Sequence, residues 1–213
     1  MSSYYCLVAG LPDVNLDDGK LNYTVENFKS ELYPELSRKD QLLIDLFYLK
    51  YDNADLLRLL KDKDAVVDGG GNFSSEELLA LITAVREGET PDSRYPLYMY
   101  QFVEQYFMLQ PEEQYRADDL LAGLYYAYAM QCGNSFIASW FEFNLNVNNI
   151  LAALTARKYK MDVPSVVVGA TDVCAQLRTS NARDFGLTEQ ITYFEQIMRI
   201  SEIDELVERE KKI

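Results

Sequence analysis

The chain has 213 residues, 48% of them hydrophobic, with 34 acidic against 20 basic side chains and a net charge of −14. That length and composition suit one large or two small packed domains and exclude a disordered or fibrous chain. The acidity argues against a phosphate backbone or an anionic membrane surface as partner, since no basic patch offsets it; the most basic stretch, residues 157–160, is short.

Residues 4–11 form a short apolar run ended by Pro12, readable as a strand or as a first helical turn. Residues 12–24 are polar and turn-like, and a short helix over 27–36 is interrupted at Pro34. From Ser37, a capping residue with Asp40 three positions on, leucines and Phe47 keep helical spacing to Leu60, with a break possible near Asp52 and Asn53. Residues 64–72 end in Gly69, Gly70 and Gly71 and read as a loop. Ser74 and Glu77 form a capping box that opens a helix to about Arg86, stopped by Gly88. A polar linker over 89–96 then separates an N-terminal helical repeat (1–88) from a C-terminal one (97–213), unless all form one continuous domain.

The second half opens with helices over 96–109 and 112–130, rich in tyrosine. Gly133 and Asn134 mark a break, and 135–158 is a long helix or a pair of helices with Trp140 in its apolar stripe. Residues 165–169, SVVVG, could be a strand or a buried turn. A short helix over 172–178 and a long one over 187–212 complete the chain. The expectation is a mainly all-α, multi-helix bundle of about eight helices, with one or two short strands at most.

Residues 47–64, FYLKYDNADLLRLLKDKD, align without gaps on residues 141–158, FEFNLNVNNILAALTARK, at a spacing of 94. Phe47 falls on Phe141, Leu57 on Leu151, Leu60 on Leu154 and Lys63 on Arg157. Shared amphipathic spacing would produce the apolar matches by itself. The pairs Asp52/Asn146 and Asp55/Asn149 are less expected from packing, because short polar side chains compete with helix backbone bonds. They favour an internal duplication.

The chemistry is sparse. Histidine is absent, which removes the commonest general base and metal ligand. The glycine run lacks a following lysine and is no phosphate loop. Counting from Asp64, a calcium loop would place Val66 and Ser75 at ligand positions, so that ligand set fails. The pairs Glu112/Glu113 and Asp118/Asp119 sit at helix starts, where the helix dipole accounts for them. Cys132 has no activating neighbour, and Cys6, Cys132 and Cys174 show no disulfide or metal spacing, which fits a reducing cytoplasm. The 16 tyrosines read as core and interface residues with a polar tip. No catalytic, cofactor-binding or metal-ligating residue is assigned, and no cofactor is expected. The N-terminus lacks a secretory charge pattern, and the longest apolar run, residues 120–130, is too short to span a membrane.

The aromatic helix, the Asp or Asn pair and the leucine-rich run ending in basic residues, as in YDNADLLRLLKDK and LNVNNILAALTARK, resemble the repeats of the C-type subunit (d-type in eukaryotes) of V-type and A-type rotary ATPases. From YYCLVAGLP through the C-terminal helix, the chain also resembles a bacterial family associated with V-type ATP synthases, whose members stand in for that C-type subunit. The resemblance implies a non-catalytic connector between rotor ring and central stalk in a machine that moves protons or sodium ions. It would be a cytoplasmic protein held at the inner membrane only through a protein complex. Two departures stand out. The C-type proteins have three repeats in a longer chain, against two here, and the last helix ends on EREKKI without a cap, as in a smaller family or a shortened chain. The alternative is a cytosolic acidic adaptor for a basic protein partner. An enzyme built from Asp, Glu, Tyr and Cys side chains has no motif to carry it.

Overall fold

Most of the helices begin where a polar side chain bonds a free backbone N–H of the first turn, the interaction that satisfies one of the orphan donors of a helix start. Ser37 accepts from Asp40, Ser74 from Glu77, Asn134 from Ile137 and Thr171 from Cys174. The computed structural model describes residues 4–14 and 23–213. Among these it contains eleven α-helices and no strand. They are α1 (Tyr5–Ala9), α2 (Val25–Leu32), α3 (Arg38–Lys61), α4 (Ser75–Glu87), α5 (Leu97–Met108), α6 (Ala117–Met130), α7 (Ser135–Lys158), α8 (Val163–Val166), α9 (Asp172–Thr179), α10 (Phe194–Ser201) and α11 (Leu206–Glu210). The fold is all-α, as the helical spacing predicts.

The differences from the expected elements have local causes. Residues 4–11 are helical turns: Val8 N–H bonds the Tyr4 carbonyl and Gly10 N–H that of Cys6. The SVVVG stretch is not a strand either. Asp162 caps α8 through Ser165 N–H, and Val168 then finds its partner in a side chain, Asn149, in place of a second strand. No break occurs near Asp52 and Asn53, because both side chains bond groups outside the helix and leave its backbone ladder alone. The expected helix over 187–212 is divided. Residues 187–193 make turns, α10 buries Phe194, Ile197 and Ile200, and Glu205 then caps a fresh start through Val207 and Glu208 N–H. Together with α1 and α8, that division takes the expected eight helices to eleven.

Two apolar clusters hold the molecule. The first joins α3, α4, α5 and α6 to the opening of α7, including Phe141. The second joins the remainder of α7, from Leu145, to α9, α10 and the turn residues Phe185, Leu187 and Ile191. α7 therefore belongs to both. Residues 89–96, expected as a linker, include Tyr95, which is buried in the first cluster and donates to the Glu77 carbonyl at 2.9 Å.

The tyrosines serve this packing with both ends. Tyr125 lies edge-on to Phe141 and donates to the Leu46 carbonyl at 2.8 Å, tying α6 to α3. Tyr98 donates to Asn53 Oδ1 at 2.7 Å, tying α5 to α3. Such hydroxyls must find partners once the ring is buried.

Candidate functional site

The duplicated residues meet in space. Phe47 on α3 stacks on its own counterpart Phe141 on α7, ring centroids 5.1 Å apart and inclined by 30°. The contact joins the two matched stretches at this pair. The element order agrees: a long helix, a 13-residue connection and a capped helix occur twice, as α3, 62–74, α4 and as α7, 159–171, α9. The caps lie 97 residues apart (Ser37/Asn134 and Ser74/Thr171), so α7 starts and stops three residues later than the matched side chains imply. Lys63, matched to Arg157 by sequence, consequently falls beyond the end of α3.

The matched polar pairs have one architectural role and two chemistries. On α3, Asp52 accepts from Asn72 N at 2.8 Å, Phe73 N at 2.9 Å and Asn72 Nδ2 at 3.2 Å. One turn further on, Asp55 accepts from Asp68 N and Gly69 N, both at 3.2 Å. The first connection thus presents N–H groups to these side chains, and a carboxylate, which only accepts, matches it. On α7, Asn149 Oδ1 accepts from Val168 N at 2.8 Å while its Nδ2 donates to Val168 O at 2.7 Å. Asn146 Oδ1 accepts from the hydroxyl of Thr171, the cap of α9. The second connection presents a carbonyl as well as an N–H, which an amide can satisfy and a carboxylate cannot. At the Asp55/Asn149 pair, the exchange of Asp for Asn follows from what each loop offers.

Each connection also presses a glycine against its long helix. A Cβ on Gly71 would lie 2.5 Å from Asp52 Cγ and closer still to its Oδ1, and one on Gly169 2.9 Å from Leu145 Cδ2. The close approach, and not a phosphate or calcium site, accounts for Gly71; its carbonyl accepts from Lys29 Nζ at 3.0 Å. Gly69 and Gly70 have φ of +68° and +84°, in the left-handed region. Asp62 and Asp64 stay in the loop as local turn formers, Asp64 N–H bonding Asp62 Oδ1.

Asp52 is 1% exposed, and burial pushes its carboxyl up to about 6 against the opposing pull of the Asn72 and Phe73 N–H groups and Lys29. A folded-state value above the ordinary carboxyl value means that folding favours the protonated form. The contribution to stability is therefore complete below about pH 4 and is lost as the pH rises through about 6. Asp52→Asn, the residue used at the matched position, removes this titration. The stability of the native chain relative to Asp52→Asn, followed by urea unfolding, is expected to fall by up to about 3 kcal/mol between pH 4 and pH 7. A difference that stays constant with pH would contradict this assignment.

The remaining residues singled out by sequence separate by role. Cys174 is buried, its N–H bonding the Thr171 hydroxyl and its Sγ 3.2 Å from the Val168 carbonyl; Cys132 is half-buried and Cys6 exposed, all three as free thiols. Asp118 and Asp119 occupy the first turn of α6, and Glu113 accepts from Gln110 N–H at the preceding 3-10 turn. Arg157, in the most basic stretch, is committed to structure: its guanidinium bonds the carbonyls of Ser180, Ala182 and Arg183 and lies 3.4 Å from the Phe185 ring centre. Among the described residues, no cluster of three or more Cys, Asp or Glu side chains could hold a metal ion, and no helix is long and apolar enough to cross a membrane.

Two surface features arise only from the fold. Trp140 is not in the buried stripe of α7 but 48% exposed, and with Phe136, 75% exposed, and half-buried Phe143 it forms an aromatic ridge along one helix face. Tyr193 supports the ridge from the turn before α10, its ring centre 4.9 Å from that of Phe143. The second feature corrects the expectation that there is no basic patch. Lys29 from α2, Arg38 and Lys39 from α3, and Arg94 from the segment before α5 line one open cleft of about 870 Å³. Their sequence separation hides them from any search for basic runs.

These features define an all-helical protein built on a duplicated long-helix unit, with its polar residues locked into the joints between helix and loop. The chain belongs to the DUF2764 family of proteins of unknown function, whose model matches residues 1–213. No curated protein and no solved structure matches it.

Proposed function

We propose that this protein is a non-catalytic connector of a V-type ATP synthase or ATPase, similar to the C-type subunit and linking the rotor ring to the central stalk. The observation that carries the reading is the duplicated unit, two long helices each bonded to its following loop and meeting at Phe47 and Phe141. It supports the resemblance of YDNADLLRLLKDK and LNVNNILAALTARK to the C-type repeat.

Torque transmission asks for stiffness and a docking surface. Stiffness comes from the polar joints, where each loop is tied to its long helix by buried side-chain bonds. For docking, the ridge of Phe136, Trp140 and Phe143 offers an exposed aromatic face, of the composition that dominates binding energy at protein interfaces. The chain is asked for no reaction step. The test is purification of the tagged protein from its native membranes in mild detergent, with identification of what accompanies it. Recovery of ring and stalk proteins above an acidic helical control supports the connector. Their absence, from membranes shown to hold the intact ATPase, refutes it. The net charge of −14 favours a second reading, a cytosolic adaptor for a basic partner, which would yield soluble basic proteins in the same experiment.

A further inference from the structure

We propose that the cleft between α2, the start of α3 and the start of α5 docks an acidic peptide segment of a protein partner, with an apolar side chain as its anchor. The composition of the cleft alone carries this, independently of the rotary reading.

In a chain with 34 acidic residues, the lining of this cleft carries, among the described residues, four cations and a single carboxylate, Asp45. Asp45 is already engaged, accepting from the Tyr33 hydroxyl at 2.7 Å. Arg38 and Lys39 are the first two residues of α3, the end of a helix where positive charge is disfavoured by the helix dipole. Both are exposed, and among the described residues neither enters a salt bridge. Arg38 bonds the neutral side chain of Gln41, and the carboxylate nearest in sequence, Asp40, accepts from the hydroxyls of Tyr4 and Ser37. Arg94 is paired with Asp92 at 2.7 Å yet remains exposed at the rim, and Lys29 bonds the Gly71 carbonyl. The fold thus places Arg38 and Lys39 where the dipole opposes them, and among the described residues neither has a salt bridge in return, Lys39 feeling only the charge of the neighbouring Asp40.

The floor adds the second half of the signature. Leu42 and Leu97 line the same cleft as these cations while 51% and 57% exposed. A free phosphate would meet the charges and leave these leucines wet. A segment that carries carboxylates around an apolar side chain would satisfy both. The cleft volume, about 870 Å³, is ample for several side chains. A nucleic acid or an anionic membrane would have to approach across the acidic remainder of the surface.

The probe is a short fluorescein-labelled peptide of alternating Glu and Leu pairs, followed by anisotropy, with a Gln-for-Glu peptide and inorganic phosphate as controls. The Glu peptide is expected to bind and to weaken with added salt. It is also expected to weaken roughly tenfold or more in the double variant Arg38→Glu/Lys39→Glu, and measurably in Leu97→Ser. The substituted side chains are exposed, so circular dichroism should show an unchanged fold. Equal binding of the Gln peptide, equal binding by the charge-reversed variant, or full displacement by phosphate would overturn the proposal. So would self-association of the native chain that Arg38→Glu/Lys39→Glu abolishes, which would give the cleft to a second copy. None of these outcomes bears on recovery of ATPase components from membranes.

Discussion

Phe141→Ala should destabilise the chain by about 3–5 kcal/mol, the cost of emptying a well-packed aromatic site in a core. Phe141 is the buried member of the pair that joins the two copies. Its ring stacks on Phe47 and meets Tyr125 and Tyr126 edge-on, with centroids 5.6 and 6.3 Å away. It is also the last buried α7 residue of the first cluster, four positions before Leu145 opens the second. Removing it opens a cavity where the halves join, and Tyr125, fixed through its hydroxyl to the Leu46 carbonyl, cannot swing in to fill it. Phe47→Ala, at a half-buried position, is expected to cost less. Chemical denaturation of both variants checks the order. Equal or negligible losses would show that the stacked pair does not hold the copies together.

The second large effect is at Gly71. Gly71→Ala should cost about 3 kcal/mol, at the upper end for overpacking, because neither neighbour can retreat cheaply. The new Cβ would stand 2.5 Å from Asp52 Cγ and 3.0 Å from the Asp52 backbone nitrogen. The carboxylate is pinned by the N–H groups of Asn72 and Phe73, and the backbone nitrogen belongs to the middle of α3. Asp52→Ala is costly too, since it leaves those N–H groups without their acceptor. The two losses should not add. Once the carboxylate is gone, the two closest contacts go with it and the nearest that remains of those three is the one at 3.0 Å, so the double variant should be more stable than the sum predicts by about 1–3 kcal/mol. Additive losses in a double-mutant cycle would place the steric conflict elsewhere. Ala at Gly70, where φ is +84° and the space is open, provides a control for backbone strain without collision.

What the sequence made legible was local. The caps Ser37 and Ser74, the stop at Gly88 and the periodic leucines are each interpreted by neighbours within a turn, and the helices they mark stand where expected. The duplication was legible because Asp52/Asn146 and Asp55/Asn149 are unusual inside apolar helices. Their partners were not, because Asn72, Phe73 and Val168 come from loops whose path is set by tertiary packing. For the same reason Asp52 and Asn53 suggested a break, since a buried polar residue disrupts a helix only when nothing outside satisfies it. Trp140 and the basic cleft were missed on different grounds. Helical spacing shows that Phe136, Trp140 and Phe143 share a face but not that, among the described residues, Phe136 and Trp140 stay exposed on it. Lys29, Arg38, Lys39 and Arg94 are assembled only by the fold.

Removing the protein from its cell tests the proposed connector most directly. Inverted membrane vesicles would be prepared with and without it, and ATP hydrolysis and ATP-driven ion uptake measured on the same sample. Vesicles lacking a connector should still hydrolyse ATP but no longer accumulate protons or sodium ions, and adding the native protein back should restore uptake. Undiminished uptake in vesicles that contain the ATPase and lack this protein would contradict the connector role.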